Sequence, residues 1–154
     1  MNRSGLRNAT VALALGSALV LMVSAPGLAA AAPPKIKVKL IEFKVKPAIS
    51  ALAAGKIRFA AKNAGSELHE FVVIHGDDPA ALPVDADGAV VEEQLPEDAF
   101  VGELEDIKVG KTKKKVFKLP AGSYVLFCNI VDEEDSGEIV SHFAEGMYTT
   151  IRTS

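Results

Sequence analysis

From Lys35 onward the chain alternates. Ile36, Val38 and Leu40 are apolar and the residues between them are lysines, so one face can be buried and the other solvated, as in a half-buried β-strand. A doubled apolar step at Leu40-Ile41 interrupts the rhythm before Phe43 and Val45 resume it, which is compatible with a bulge in a single strand that Pro47 ends. Lys56 to Lys62 predicts a second strand, closed by the turn signal Asn63-Ala64-Gly65. Leu68 to His75 is rich in β-branched and aromatic residues and predicts a third. Gly76 to Phe100 carries prolines, glycines and acids with few apolar residues in register. It reads as a long surface excursion with one helical turn near Pro79 to Leu82.

Strand character returns at Val101 to Val109, Val116 to Leu119, Ser123 to Asn129 and Tyr148 to Thr153. The basic run Lys111 to Lys115 is expected to be a turn kept soluble, and Val131 to Ser141 a solvated polar insert. Seven or eight short strands with Gly/Pro turns and almost no helical period point to an all-β sandwich.

The first thirty residues have a different character. Arg3 and Arg7 precede an apolar run from Ala9 to Val23, about 15 residues against the ~20 needed to span a bilayer. Pro26-Gly27 and an alanine-rich stretch follow. Residues 1–31 are therefore expected to be a cleaved signal peptide, leaving one domain over 35–154, exported to a periplasmic or extracellular space and without a membrane span.

Removing the two leader arginines leaves 15 basic against 20 acidic residues, a net charge of −5. That balance argues against a nucleic-acid partner, which calls for a basic stripe. It suits a monomer whose acidic face steers towards a basic redox partner, with Asp132 to Asp135 either part of that face or only a solvated loop.

Cysteine usage sharpens the reading. An oxidising compartment favours paired cysteines, yet Cys128 is the only one. An unpaired thiol there is reactive, intermolecular or bound to something. Beyond the leader, Met147 is the only methionine, and the histidines are His69, His75 and His142. A thiolate, two imidazoles and a thioether form the donor set of type 1 copper; zinc has little use for the thioether. His75 lies ~20 Å along the strand from His69 at ~3.3 Å per residue, so the two cannot serve one site.

Asn63-Ala-Gly-x-x-x-His69, Gly122-x-Tyr124-x-x-x-Cys128 and His142-x4-Met147 together resemble the cupredoxin family, which includes plastocyanins and azurins. The resemblance runs from about Lys35 to Thr153. It implies a Greek-key sandwich that carries single electrons and is not an enzyme, with one copper ion held by His69, Cys128, His142 and the axial Met147. Two positions depart from the family pattern. Thirteen residues separate Cys128 from His142, where the family has only a few. Glu70 stands where many members have an Asn that ties the ligand loops, so Asn129 is expected to make a mirrored bond. Other readings are copper sequestration or delivery, a sandwich that has lost its metal, and a Cys–His nucleophile pair. A multicopper oxidase is excluded because no His-x-His pair is present.

Overall fold

The structure is a computed structural model that describes residues 31–133 and 136–154. The expected leader, apart from Ala31, lies outside the described residues, as do Glu134 and Asp135 of the acidic insert. No helix among the described residues is long and apolar enough to cross a membrane.

The Greek-key β-sandwich is present, with eleven strands among the described residues rather than seven or eight. One sheet contains β1 (Lys35–Ile41), β2 (Lys44–Pro47), β4 (Gly55–Asn63) and β7 (Thr112–Leu119), in the order β2-β1-β4-β7. The other contains β3 (Ala51–Leu52), β5 (His69–His75), β6 (Phe100–Ile107), β8 (Gly122–Phe127) and β11 (Tyr148–Thr153), in the order β3-β11-β8-β5-β6. β9 (Val131–Glu133) and β10 (Ile139–Ser141) form a separate hairpin.

β2, β3, β9 and β10 are the strands not expected from the sequence, and β7 is longer than expected. Residues 35–47 are not one bulged strand: the chain reverses at Glu42-Phe43, and β1 pairs antiparallel with β2, Leu40 opposite Val45. Lys113 to Lys115 lie within β7, paired with β4, because Phe117 and Leu119 carry the buried alternation and the exposed lysines extend the ladder beyond it. The insert after Cys128 is not a plain loop but the β9–β10 hairpin.

Alternating residues from both sheets fill the core, including Ile36, Val38, Leu40, Ile57, Phe71 and Leu126. At its centre Phe59 packs edge-on against Phe71 at 5.3 Å and against Phe117 at 5.6 Å, joining the sheets. β5 and β8 are buried on both faces, which explains their continuous apolar runs Phe71-Val-Val-Ile74 and Tyr124-Val-Leu-Phe127. The outer cover includes Val90 with Leu82 and Leu95 from the 76–100 excursion, and Phe143. That excursion is therefore a lid on the sheet, with short 3-10 turns at Pro79–Ala81 and Glu92–Gln94.

Replacing Phe71 with Ala should remove on the order of 3–5 kcal/mol of stability, the range for emptying a buried aromatic position. Urea unfolding of the variant measures it; a loss below about 1 kcal/mol would show that this contact does not hold the sheets together.

Candidate metal centre

Strand alternation delivers the central thiol. Tyr124, Leu126 and Cys128 face the main core, while Val125 and Phe127 face the outer cluster. His69 opens β5 on the strand paired with β8, so the two residues meet at one end of the sandwich. His142 arrives through the hairpin. β9 and β10 pair Val131 with Ser141, and the next rung is the His142 N–H donating to the Ile130 carbonyl at 2.9 Å. Thirteen intervening residues thus leave His142 beside Cys128.

The donor atoms form a compact triangle. Cys128 Sγ is 3.3 Å from His142 Nδ1 and 4.0 Å from His69 Nδ1, and the two nitrogens are 3.3 Å apart. The point equidistant from all three lies about 2.1 Å from each, close to zinc's bonds to imidazole nitrogen (about 2.0–2.1 Å) and thiolate (about 2.3 Å). All three side chains are fully buried, and together they can hold a metal ion. Two nitrogens and one sulfur are the chemistry of a borderline-to-soft ion.

Met147 is also fully buried, in the same apolar cluster as Cys128. Its N–H donates to the His142 carbonyl at 2.9 Å, and its carbonyl accepts from the Cys128 N–H at 3.1 Å. The turn from His142 to Met147 passes through Gly146 at φ 91°, a left-handed conformation that glycine adopts without strain. His75 stays away from the cluster; its ring packs on Tyr124 at 4.4 Å.

The outer face of each imidazole meets carboxylate. His69 Nε2 is 3.1 Å from Glu42 Oε1. His142 Nε2 is 3.2 Å from both Glu67 Oε2 and Asp132 Oδ2. These contacts are short but bent, and neither nitrogen has a well-aligned hydrogen bond. Carboxylates behind ligating histidines commonly set the ring's tautomer and orientation. Burial and the neighbouring His142 hold the His69 pKa below its ordinary value, with Glu42 partly opposing them.

Glu42 is the residue that sequence reasoning missed most plainly. Its Oε1 also accepts the N–H groups of Ser66 (2.7 Å) and Glu67 (3.0 Å). Burial pushes its carboxyl pKa up, but its own N–H, those of Glu67 and Ser66, and His69 outweigh that and hold it low. Next to it, Phe43 packs edge-on against the His142 ring at 5.1 Å, so one tight turn braces both histidines. A signal was available: Glu42 is the only acid between Lys35 and Ser66.

The loop that meets Glu42 is built by Asn63. Its buried amide donates to the Glu67 and Ile107 carbonyls at 2.6 and 2.7 Å, and its Oδ1 accepts the Gly65 N–H at 3.0 Å. A Cβ on Gly65 would overlap the Glu42 carboxylate, which accounts for the glycine.

Around the thiol, the Glu70 N–H donates to Sγ at 3.4 Å. Burial nevertheless pushes the Cys128 pKa up to about 12, against the N–H groups of Glu70 and Ile130. The tie between ligand loops is made by Glu70 itself, whose carboxylate accepts the Asn129 N–H at 2.8 Å. The mirrored bond expected of Asn129 is absent because its side chain is committed to Val90, accepting its N–H at 2.6 Å and donating to its carbonyl at 2.9 Å. Burial, with Glu103, Glu92 and Glu105 nearby, raises the Glu70 carboxyl pKa to about 7, opposed by the Asn129 N–H.

Glu42→Ala should destabilise the protein stripped of metal by about 0.5–1.5 kcal/mol, the net worth of the partly exposed hydrogen bonds from Ser66 and Glu67. Gly65→Ala displaces the same carboxylate, so the double variant should lose clearly less than the sum of the singles. Urea unfolding of the three variants checks this; strict additivity would mean that the two residues act separately.

No protein-family model matches the chain, and no curated protein matches it in sequence. Solved structures do resemble it. Auracyanin from Roseiflexus castenholzii is 17% identical over 80% of this chain and 99% of that one, with a TM-score of 0.54. Rusticyanin from Thiobacillus ferrooxidans is 15% identical over 78% of this chain and 76% of that one, at 0.53. An azurin from Methylomonas sp. strain J is 14% identical over 80% and 99%, at 0.52. Identities this low speak to the fold, and these neighbours share one architecture: the chain has the cupredoxin fold.

Proposed function

We propose that the chain is an exported type 1 copper protein that carries single electrons between redox partners. His69, Cys128 and His142 hold one copper ion in this reading, and Met147 supplies the weak axial thioether. The observation that carries it is the buried triangle of two Nδ1 atoms and one Sγ. A structural neighbour, rusticyanin, is described as a copper protein, and both rusticyanin and an auracyanin were solved in reduced form. Copper, when bound, supplies a Cu(II)/Cu(I) couple that imidazole and thiolate donors accommodate in both states.

The chain's own residues keep that site dry and stiff. Phe43 and the apolar core exclude water, the Glu70 N–H meets the sulfur, and the Glu42 and Glu70 carboxylates fix the loops that carry the ligands. A fully buried thiol with its pKa pushed up to about 12 is poorly set up as a nucleophile, which favours a carrier over an enzyme. Residues 1–31 act as the export leader and 35–154 as the copper domain, a monomer in the periplasm or outside the cell. Glu92, Glu103 and Glu105, grouped near Glu70, offer a docking patch for a basic redox partner.

Copper delivery is a second reading. Its support is the half-exposed pair Glu67 and Asp132 at the outer nitrogen of His142, oxygen donors on the side from which an ion would leave. A carrier of electrons keeps its copper in both oxidation states, whereas a delivery protein surrenders it to an acceptor.

Adding Cu(II) should produce an intense blue thiolate-to-copper absorption. Cys128→Ser should abolish it. Met147→Leu should keep the colour and raise the reduction potential, since losing a weak ligand disfavours Cu(II). An unchanged spectrum and potential in Met147→Leu would remove the axial assignment.

A further inference from the structure

The net charge of −5 hides a separation of sign. The four strands of the β2-β1-β4-β7 sheet contain no acidic residue. Pairing places their outward side chains on one surface. β1 contributes Lys35, Lys37 and Lys39. β4 contributes Arg58 and Lys62, opposite Lys35 and Lys39, and Lys56 further along the same face. β7 adds Lys114 and Lys118, opposite Ala60 and Lys56, and β2 adds Lys44 and Lys46, the latter opposite Lys39.

This arrangement is costly. Lys39 has like charges directly across from it on both sides, in Lys46 and Lys62. Lys35 faces Arg58, and Lys56 faces Lys118. Like charges opposite one another destabilise a sheet, and among the described residues no ion pair engages these cations. Between them runs an open trough of about 610 Å³ walled by lysines, with Ala48, Ala60 and Ala64 along it. The small residues leave room for an anion to sit among the ammonium groups.

We infer that this sheet face is a docking surface for an anionic lipid bilayer. The shape favours a bilayer over nucleic acid. Four strands at about 4.8 Å spacing make a broad array, not a single stripe. The array is nearly all lysine, point charges on flexible stems, with a single arginine for forked phosphate recognition. No aromatic side chain points outward from it to stack on bases. β1 and β4 carry the face up to Glu42 and Asn63, which belong to the metal centre, so adsorption leaves that end beside the membrane surface. The inference stands independently of the copper reading.

The test is co-sedimentation of the full chain with phosphatidylglycerol/phosphatidylcholine vesicles and with phosphatidylcholine alone, across a salt series. Binding should require the anionic lipid and fall steeply with salt. A variant with Lys37, Lys39, Lys62 and Lys114 all changed to Gln should bind on the order of a thousandfold more weakly, each of the four cations near such a surface contributing comparably. A control with Lys108, Lys111, Lys113 and Arg152 changed to Gln loses the same charge off the face and should bind like wild type. Equal binding by the face variant, an equal loss in the control, absence of binding, or stronger capture by duplex DNA at the same salt would each overturn the inference. Circular dichroism establishes that both variants are folded.

Discussion

Burying polar groups is the constraint on which the rest of this structure depends. Two imidazoles and a thiol sit with no exposed surface at one end of the sandwich, where each polar atom needs a partner if the fold is to tolerate it. The inner atoms, Nδ1, Nδ1 and Sγ, face one another. The outer nitrogens face carboxylates. Those carboxylates must themselves be held, and the backbone around them is shaped accordingly. Asn63 folds the loop, Gly65 leaves space, and Ser66 and Glu67 turn their N–H groups onto Glu42. The spacing from Asn63 to His69 is therefore one device: a loop that binds a carboxylate so that the carboxylate can meet a histidine.

Much of this was legible from residue order. Alternation puts Cys128 and Leu126 on one face, the separation of His69 from His75 admits only one of them to the cluster, and the Asn63-Ala-Gly context points to His69. What escaped depends on where the chain goes next. The step Leu40-Ile41 looks alike in a bulged strand and at the approach to a hairpin; only pairing of β2 back onto β1 distinguishes them. Glu42 and Phe43 reach the site because that reversal occurs there. Glu70 and Asn129 exchange the expected roles because Val90, on a distant excursion, claims the asparagine amide. Local pattern does not encode such competition between remote partners.

Net charge proved a poor guide for a related reason. Each basic strand reads as ordinary half-buried alternation, with lysine as the solvated partner of Val, Leu or Ile. Summed with the acidic excursion and insert, the lysines vanish into a negative total. Sheet order then sets β1, β2, β4 and β7 side by side, and the period of two turns the lysines of alternate rows to one face, leaving Lys113 and Lys115 on the other. Total charge therefore describes the remainder of the domain but not this face, where cations stand without acids among them.

The long connection between Cys128 and His142 follows the same logic of paired ends. A flexible thirteen-residue loop would let His142 wander, and holding it in place would carry the entropy of closing that loop. Pairing β9 with β10 removes much of that freedom, since the last rungs, Val131 with Ser141 and Ile130 with His142, fix the separation of the hairpin's two legs. The insertion consequently adds length outward while its base retains the spacing that the donor triangle needs. It also brings Asp132 to the outer nitrogen of His142, a carboxylate that a short direct connection would have no residue to supply.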